Sequence, residues 1–200
     1  MKMIYVIIGL LVIGGLAYYM RSYKNKSQAN EKIVQQDPTQ RKKVDPKSNP
    51  YNDLRNLAFG VNPEQIGVQL PTDKTKIYGV IMDWDLTEGT ATLVAFLSGD
   101  ASLYLSSGGG VIGGVGHENV KLAVESFIAK AEGYLTKTTK TETTPLPDKD
   151  CVRFYLLTNK GHFVAQEQMK NFKNNSSEWL NLFEEGNKVI TEIRKSSPTK

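Results

Sequence analysis

Six of the chain's 17 glycines fall in one stretch, SSGGGVIGGVGHEN, from Ser106 to Asn119. That density excludes a helix or strand interior there, because glycine surrenders more backbone freedom on ordering than any other residue and brings no side chain to pack. A strand-like run, ASLYL, leads in, and an amphipathic pattern leads out at about Glu118. The stretch is therefore a connector of exposed backbone between two packed elements, and the folded part of the chain is arranged on either side of it.

Upstream, YNDLRNLAFGVNPEQIG places Leu54, Leu57 and Ala58 at helical spacing, with Gly60 as a stop and Pro63 opening a second short turn. From Lys76 the pattern changes to three β-runs, KIYGVIMDWD, TATLVAFL and ASLYL. The links between them, Thr87-Glu88-Gly89 and Ser98-Gly99-Asp100, are short enough to join antiparallel neighbours. Downstream, Val120, Val124, Phe127, Ile128, Ala131, Tyr134 and Leu135 recur at three and four, which predicts a helix of about seventeen residues. A Thr/Pro loop follows, then strands CVRFYLL and HFVAQEQ about a turn at Asn159-Lys160-Gly161, and a last helix capped by Ser176 or Ser177. That helix carries Trp179, Leu182, Phe183, Gly186, Val189, Ile190 and Ile193 on one side. The order α-βββ-α-ββ-α predicts an α+β domain over residues 51–195 with a mainly antiparallel five-stranded sheet. Its general build is like that of profilin-like and roadblock-like domains, although the strand count about the central helix differs from roadblock; such a likeness carries no function.

Ahead of the domain, IYVIIGLLVIGGLAYYM runs from Ile4 to Met20 without a charge, the short end of a bilayer span. Residues 1–20 read as a transmembrane anchor rather than a cleaved signal, since Tyr18 and Tyr19 stand where cleavage wants small residues. Arg21, Lys24 and Lys26 outnumber Lys2 across the span, which places the domain on the cytoplasmic side of the inner membrane. Residues 21–50, with prolines at 38, 46 and 50 and no hydrophobic periodicity, read as a flexible basic linker, and 196–200 as a disordered tail. Basic residues in 21–43, above all Arg41, Lys42 and Lys43, fit anionic lipid headgroups, or are simply a solvated charge run.

Charge argues against nucleic acid. Residues 21–50 hold eight Lys/Arg against three acids, whereas 51–200 hold sixteen against eighteen, so the folded part has no basic excess to neutralise phosphates. One cysteine, Cys151, and two histidines, His117 and His162, supply no set for a structural zinc, and no cofactor is expected. Cys151 reads as a small buried hydrophobe.

Gly108-Gly109-Gly110-Val111-Ile112-Gly113 matches G-x-G-x-x-G between a strand and a helix, where helix amides can hold a phosphate. A dinucleotide fold would need parallel strands and an acid about twenty residues on, a distance that falls inside the helix here, and no Walker Lys-Ser/Thr pair follows. The run thus stands as a structural connector, a backbone-mediated binding loop or a nucleotide site. His117 at the helix mouth suits a cap or a ligand contact. Ser106 and Ser107 lack the G-x-S-x-G elbow of a serine nucleophile, so no catalytic residue is assigned. Asp83 and Asp85 alternate onto one strand face about 7 Å apart, with Glu88 beyond, and form a weak metal candidate whose spacing does not match an EF-hand.

The segments LRNLAFG, GVIMDWDLTEGTATLVAFLSGDASLYLSSGGGVIGG, VRFYLLT and GNKVITEIR together resemble an uncharacterised bacterial protein family with a GGGVIGG-type glycine run, over residues 52 to 195. The resemblance implies a bacterial source and these domain limits, and it assigns no site residues. The function expected is a membrane-anchored, cytoplasm-facing domain that binds a protein or small ligand through Ser107, Gly108, Gly109, Gly110, Gly113, Gly114 and His117. A nucleotide-responsive or hydrolytic domain using the same loop, and a periplasmic tethered domain, are the alternatives.

Overall fold

The computed structural model describes residues 50–112 and 116–196. The expected anchor, all but the last residue of the expected linker, and residues 197–200 lie outside them. Four α-helices are described: α1 (Tyr51–Phe59), α2 (Glu118–Glu132), α3 (Met169–Lys173) and α4 (Leu180–Ser196). Seven strands accompany them: β1 (Ile77–Leu86), β2 (Gly89–Phe96), β3 (Ala101–Leu105), β4 (Gly110–Val111), β5 (Thr139–Thr141), β6 (Cys151–Thr158) and β7 (Gly161–Gln168). They form one antiparallel sheet in the order β4-β3-β2-β1-β6-β7-β5.

This corrects the expectation of a five-stranded sheet preceded by a transmembrane helix. The sheet has seven strands, and no helix among the described residues is long and apolar enough to cross a membrane. Both added strands lie at the rims. β4 is two residues of the glycine run, and β5 is a Thr-Lys-Thr segment with no apolar residue to announce it. Hydrophobic pattern reports burial, and rim strands that bury little leave no such trace.

Central strands β1, β2 and β6 read as nearly unbroken apolar runs because helices and loops cover both faces of the sheet. On one face α2 and α4 pack together over Val80, Met82, Leu93, Phe154 and Leu156, with Phe127, Leu182, Val189 and Ile193 between the layers. Gly186 makes this close approach possible: a Cβ there would come within 2.9 Å of the Met82 thioether and 3.4 Å of the Phe127 ring. On the other face α1 covers a smaller cluster that includes Tyr78, Ile81, Val94, Tyr155 and Leu157. A register shift between Ile77 and Gly79 inserts one extra residue, so Ile77 and Val80, three apart, both face α2 and α4 while Tyr78 turns toward α1. From Val80 onward strict alternation sends Met82 to one cluster and Ile81 to the other, which fixes the directions of Asp83 and Trp84.

The α1 stripe differs from the sequence expectation. Tyr51, Arg55 and Ala58 are its buried residues, whereas Leu57 is 69% exposed. An arginine occupies the inward position because a carboxylate waits beneath it.

Candidate functional site

The glycine run forms a turn that folds β4 back onto β3. Gly108 N–H donates to the Leu105 carbonyl at 3.0 Å, and Leu105 N–H donates to the Gly109 carbonyl at 3.1 Å. Gly110 pairs with Tyr104, and its φ of 147° together with the Leu103 carbonyl, which a Cβ would strike, excludes any side chain. Ser107, Gly108 and Gly109 are exposed on the tip of the turn, and Gly113 and Gly114 fall outside the described residues. His117 is exposed at the start of α2 with extended backbone and makes no side-chain capping bond. The backbone bonds of this loop serve the hairpin, and Ser107 and His117 line none of the three cavities described below.

Asp83 and Asp85 do share the α1 face, but they are engaged separately. Asp83 is fully buried and receives Arg55 Nη2 at 2.6 Å and Nε at 3.1–3.2 Å, while the Thr92 hydroxyl donates to it at 2.5 Å. Thr92 is its register partner on β2 and also bonds the Tyr51 hydroxyl at 2.7 Å. Arg55 spends its remaining donors on the carbonyls of Thr144 and Pro145, and its guanidinium lies 4.9 Å from the Phe59 ring centre. Both Asp83 oxygens are consumed by protein donors, so the carboxylate serves as the counter-ion that docks α1. Asp85 accepts the Asp150 N–H at 2.8 Å, and Glu88 is exposed in the β1–β2 turn. Among the described residues no group of three His, Cys, Asp or Glu is placed to hold a metal.

A concave feature lies elsewhere, where α3 and α4 meet the end of β1. An open groove of about 600 Å³ is floored by Trp84, Met169, Phe172, Leu180 and Phe183. Trp84 stands edge-on to Phe183 at 5.2 Å between ring centres, and Phe172 stacks on Phe183 at 4.5 Å. Asn187 and Thr191 contribute polar atoms along one wall, and Lys173, Glu184, Lys188 and Glu192 form the rim. Lys188 is bonded to Glu185 at 2.7 Å, and Glu192 to Lys195 and Asn119. The β1 alternation creates this groove: with Asp83 committed to the α1 side, Trp84 faces the helices, half-buried against the margin of the α2–α4 core.

A second cavity of about 460 Å³ adjoins it, sharing Met169 and Lys173 and lined also by Lys149, Asp150, Gln168 and Lys170. Asp150 holds a left-handed conformation, φ 56°, that few side chains adopt. Its N–H bonds Asp85 and its carbonyl accepts from Met169 N–H, so the segment carrying Lys149 is fixed against both β1 and α3. Nearby Glu167 would be raised by burial, yet donors from Asn171, Gln168 N–H and Ser177 outweigh that and hold it below the usual carboxylate range. A third cavity of about 430 Å³, on the α1 face, is lined by Thr139, Thr141, Thr143, Arg153 and Tyr155. There Arg153 is committed to the carbonyls of Pro145 and Leu146.

Sequence reading missed the groove because its residues come from three separated segments. Met169 and Phe172 lie in a five-residue helix too short to show periodicity, and Trp84 looked like an ordinary strand aromatic. The one usable signal was Leu180 with Phe183, an apolar surplus on α4 wider than the core stripe of Leu182, Gly186, Val189 and Ile193. Comparison with family models, curated proteins and solved structures gives no match for this chain.

Proposed function

We propose that this chain is a ligand-binding protein that takes an apolar ligand in the groove between Trp84 and α4, and that its apolar N-terminal run holds it at the inner membrane with the domain on the cytoplasmic side. The groove carries the reading. Its volume lies within the range of about 300–1,000 Å³ typical of small-molecule sites, and it joins an aromatic floor to a few convergent polar groups. Membrane attachment rests on the charge-free residues 4–20 and the basic flank after them.

Tryptophan fluorescence tests the reading on the full chain in micelles of a neutral alkyl maltoside brominated on its chain. Of the two tryptophans, Trp84 lines the groove, whereas Trp179 is buried between Tyr134 and Phe154 at 5.0 and 5.5 Å. Bromine in the groove quenches Trp84, and the quenchable fraction disappears in Trp84→Phe and shrinks in Asn187→Phe, which fills one wall. Equal quenching in Asn187→Phe and the parent protein, with both folded by circular dichroism, would mean that the groove is not the site.

A further inference from the structure

The two adjoining cavities differ in charge. The apolar groove is balanced along its rim, where two lysines face two glutamates and Lys188 and Glu192 are already engaged by neighbours. The smaller cavity is lined by three lysines, Lys149, Lys170 and Lys173, and one acid, Asp150, with Glu167, whose carboxyl Lys170 helps hold down, and Asp85, bonded to the Asp150 N–H, beside it. Among the described residues none of these three ammonium groups is in an ion pair, although charged partners engage lysines elsewhere on the domain, as in Lys137–Glu178 at 2.7 Å and Lys195–Glu192 at 2.7 Å. The backbone that carries the lysines is anchored, while their side chains are exposed. Lys170 and Lys173 are three apart on α3, whose inner side is anchored by buried Met169 and Phe172, and Lys149 precedes the fixed Asp150. Because Met169 and Lys173 line both cavities, an occupant whose chain lies on the aromatic floor has its other end beside the lysines.

We infer that the ligand is an anionic single-chain amphiphile, its alkyl chain in the Trp84–Phe183 groove and its phosphate or carboxylate head among Lys149, Lys170 and Lys173. This rests on the groove being a ligand site, and it adds the head-group class and the direction in which the ligand lies. Lysine suits the role because three rotatable donors on a flexible stem close on an anion without requiring a planar partner, and a head group seated there forms charge-assisted hydrogen bonds. The commitment is to a lipid-like molecule, in which chain and head act together, over a free phosphate.

The test again uses the full chain in brominated neutral maltoside, now with competitors that restore Trp84 fluorescence. Dodecyl phosphate should displace the maltoside at concentrations at least about tenfold below those of dodecanol, the effect of one retained charge-assisted contact. Inorganic phosphate alone should leave the quenching unchanged. In the triple variant K149Q/K170Q/K173Q, quenching by the neutral maltoside should persist while the advantage of dodecyl phosphate falls to within about twofold of dodecanol. Raised salt should erode the same advantage in the parent protein.

Each outcome separates the two ideas. Quenching with no preference for the phosphate, or a preference that survives the triple substitution, overturns the head-group inference and leaves the groove as a neutral site. Displacement by inorganic phosphate as effective as by dodecyl phosphate overturns it too, because the chain then contributes nothing. Absence of Trp84 quenching altogether removes the groove reading on which it stands.

Discussion

Arg55 on α1 and Asp83 in the central strand β1 form a buried, multiply bonded ion pair, with side chains 5% and 0% exposed and a closest approach of 2.6 Å. Every remaining polar bond of the pair goes to protein: Thr92 to the carboxylate, Thr144 and Pro145 to the guanidinium. Such a pair adds less net stability than its geometry suggests, since both charges were desolvated to make it. Its loss on one side is another matter. Asp83→Asn or Arg55→Met leaves a buried charge without its partner, and each should cost about 3–5 kcal/mol in urea unfolding. Replacing both with apolar residues, Arg55→Met with Asp83→Leu, should recover much of that loss. A double variant as unstable as the sum of the singles would show that the pair's hydrogen bonds, rather than its charges, fasten α1.

The glycine turn predicts an asymmetry among neighbours. Gly109 has φ 82° and open space where a Cβ would go, whereas at Gly110, φ 147°, a Cβ would strike the Leu103 carbonyl. Gly109→Ala should therefore lower stability by only about 1 kcal/mol, the strain of a left-handed alanine. Gly110→Ala should cost clearly more and should release β4 from β3. Hydrogen exchange at Val111, paired with Leu103, reads this out. Equal effects at the two positions would contradict the close contact.

Acid sensitivity should begin at a histidine. Burial pushes the His162 imidazole below its ordinary value of 6.5, with Glu142 opposing the effect, and the ring lies 5.8 Å from Phe59. The folded state thus binds a proton less readily than the unfolded chain. Stability from this group is complete above 6.5 and falls as pH drops from there toward the lower folded value. Glu167 and Glu185 sit below their ordinary 4.5, so their contribution is lost only further down, as pH falls through their folded values. Urea midpoints across the two windows should fall in two separate steps, and His162→Gln should abolish the first alone. A single step confined to the carboxylate window would show that His162 titrates as in water.

Much of this architecture was legible where side-chain pattern and burial coincide. Val120, Val124, Phe127, Ile128 and Ala131 announced α2 with its inward face, and all five are buried. Of the two cap candidates, Ser176 and Ser177, it is the Ser177 hydroxyl that accepts the Trp179 N–H ahead of α4, at 3.0 Å. Legibility failed where backbone or charge decides the outcome. β5 is held by its pairing with β7 over residues whose side chains bury little. Arg55 occupies the core through a partner 28 residues away, so no local periodicity marks it as inward, and Leu57 took its place in the sequence reading. The groove was invisible for a related reason, since Trp84, Phe172 and Phe183 become neighbours only once strand, short helix and long helix have assembled.

The bulge at the start of β1 sets the facing of Ile77 separately from that of the rest of the strand. Facing alternates strictly along a regular strand, so without an extra residue Ile77 and Val80, three apart, would lie on opposite faces. The extra residue is Tyr78, buried on the α1 side with its carbonyl accepting the Leu97 N–H at 2.8 Å, and it shifts the alternation by one between Ile77 and Val80. Deleting Tyr78 would therefore turn Ile77 away from α2 and α4, while Asp83 and Trp84, held by their pairing with β2 and β6, would keep their faces.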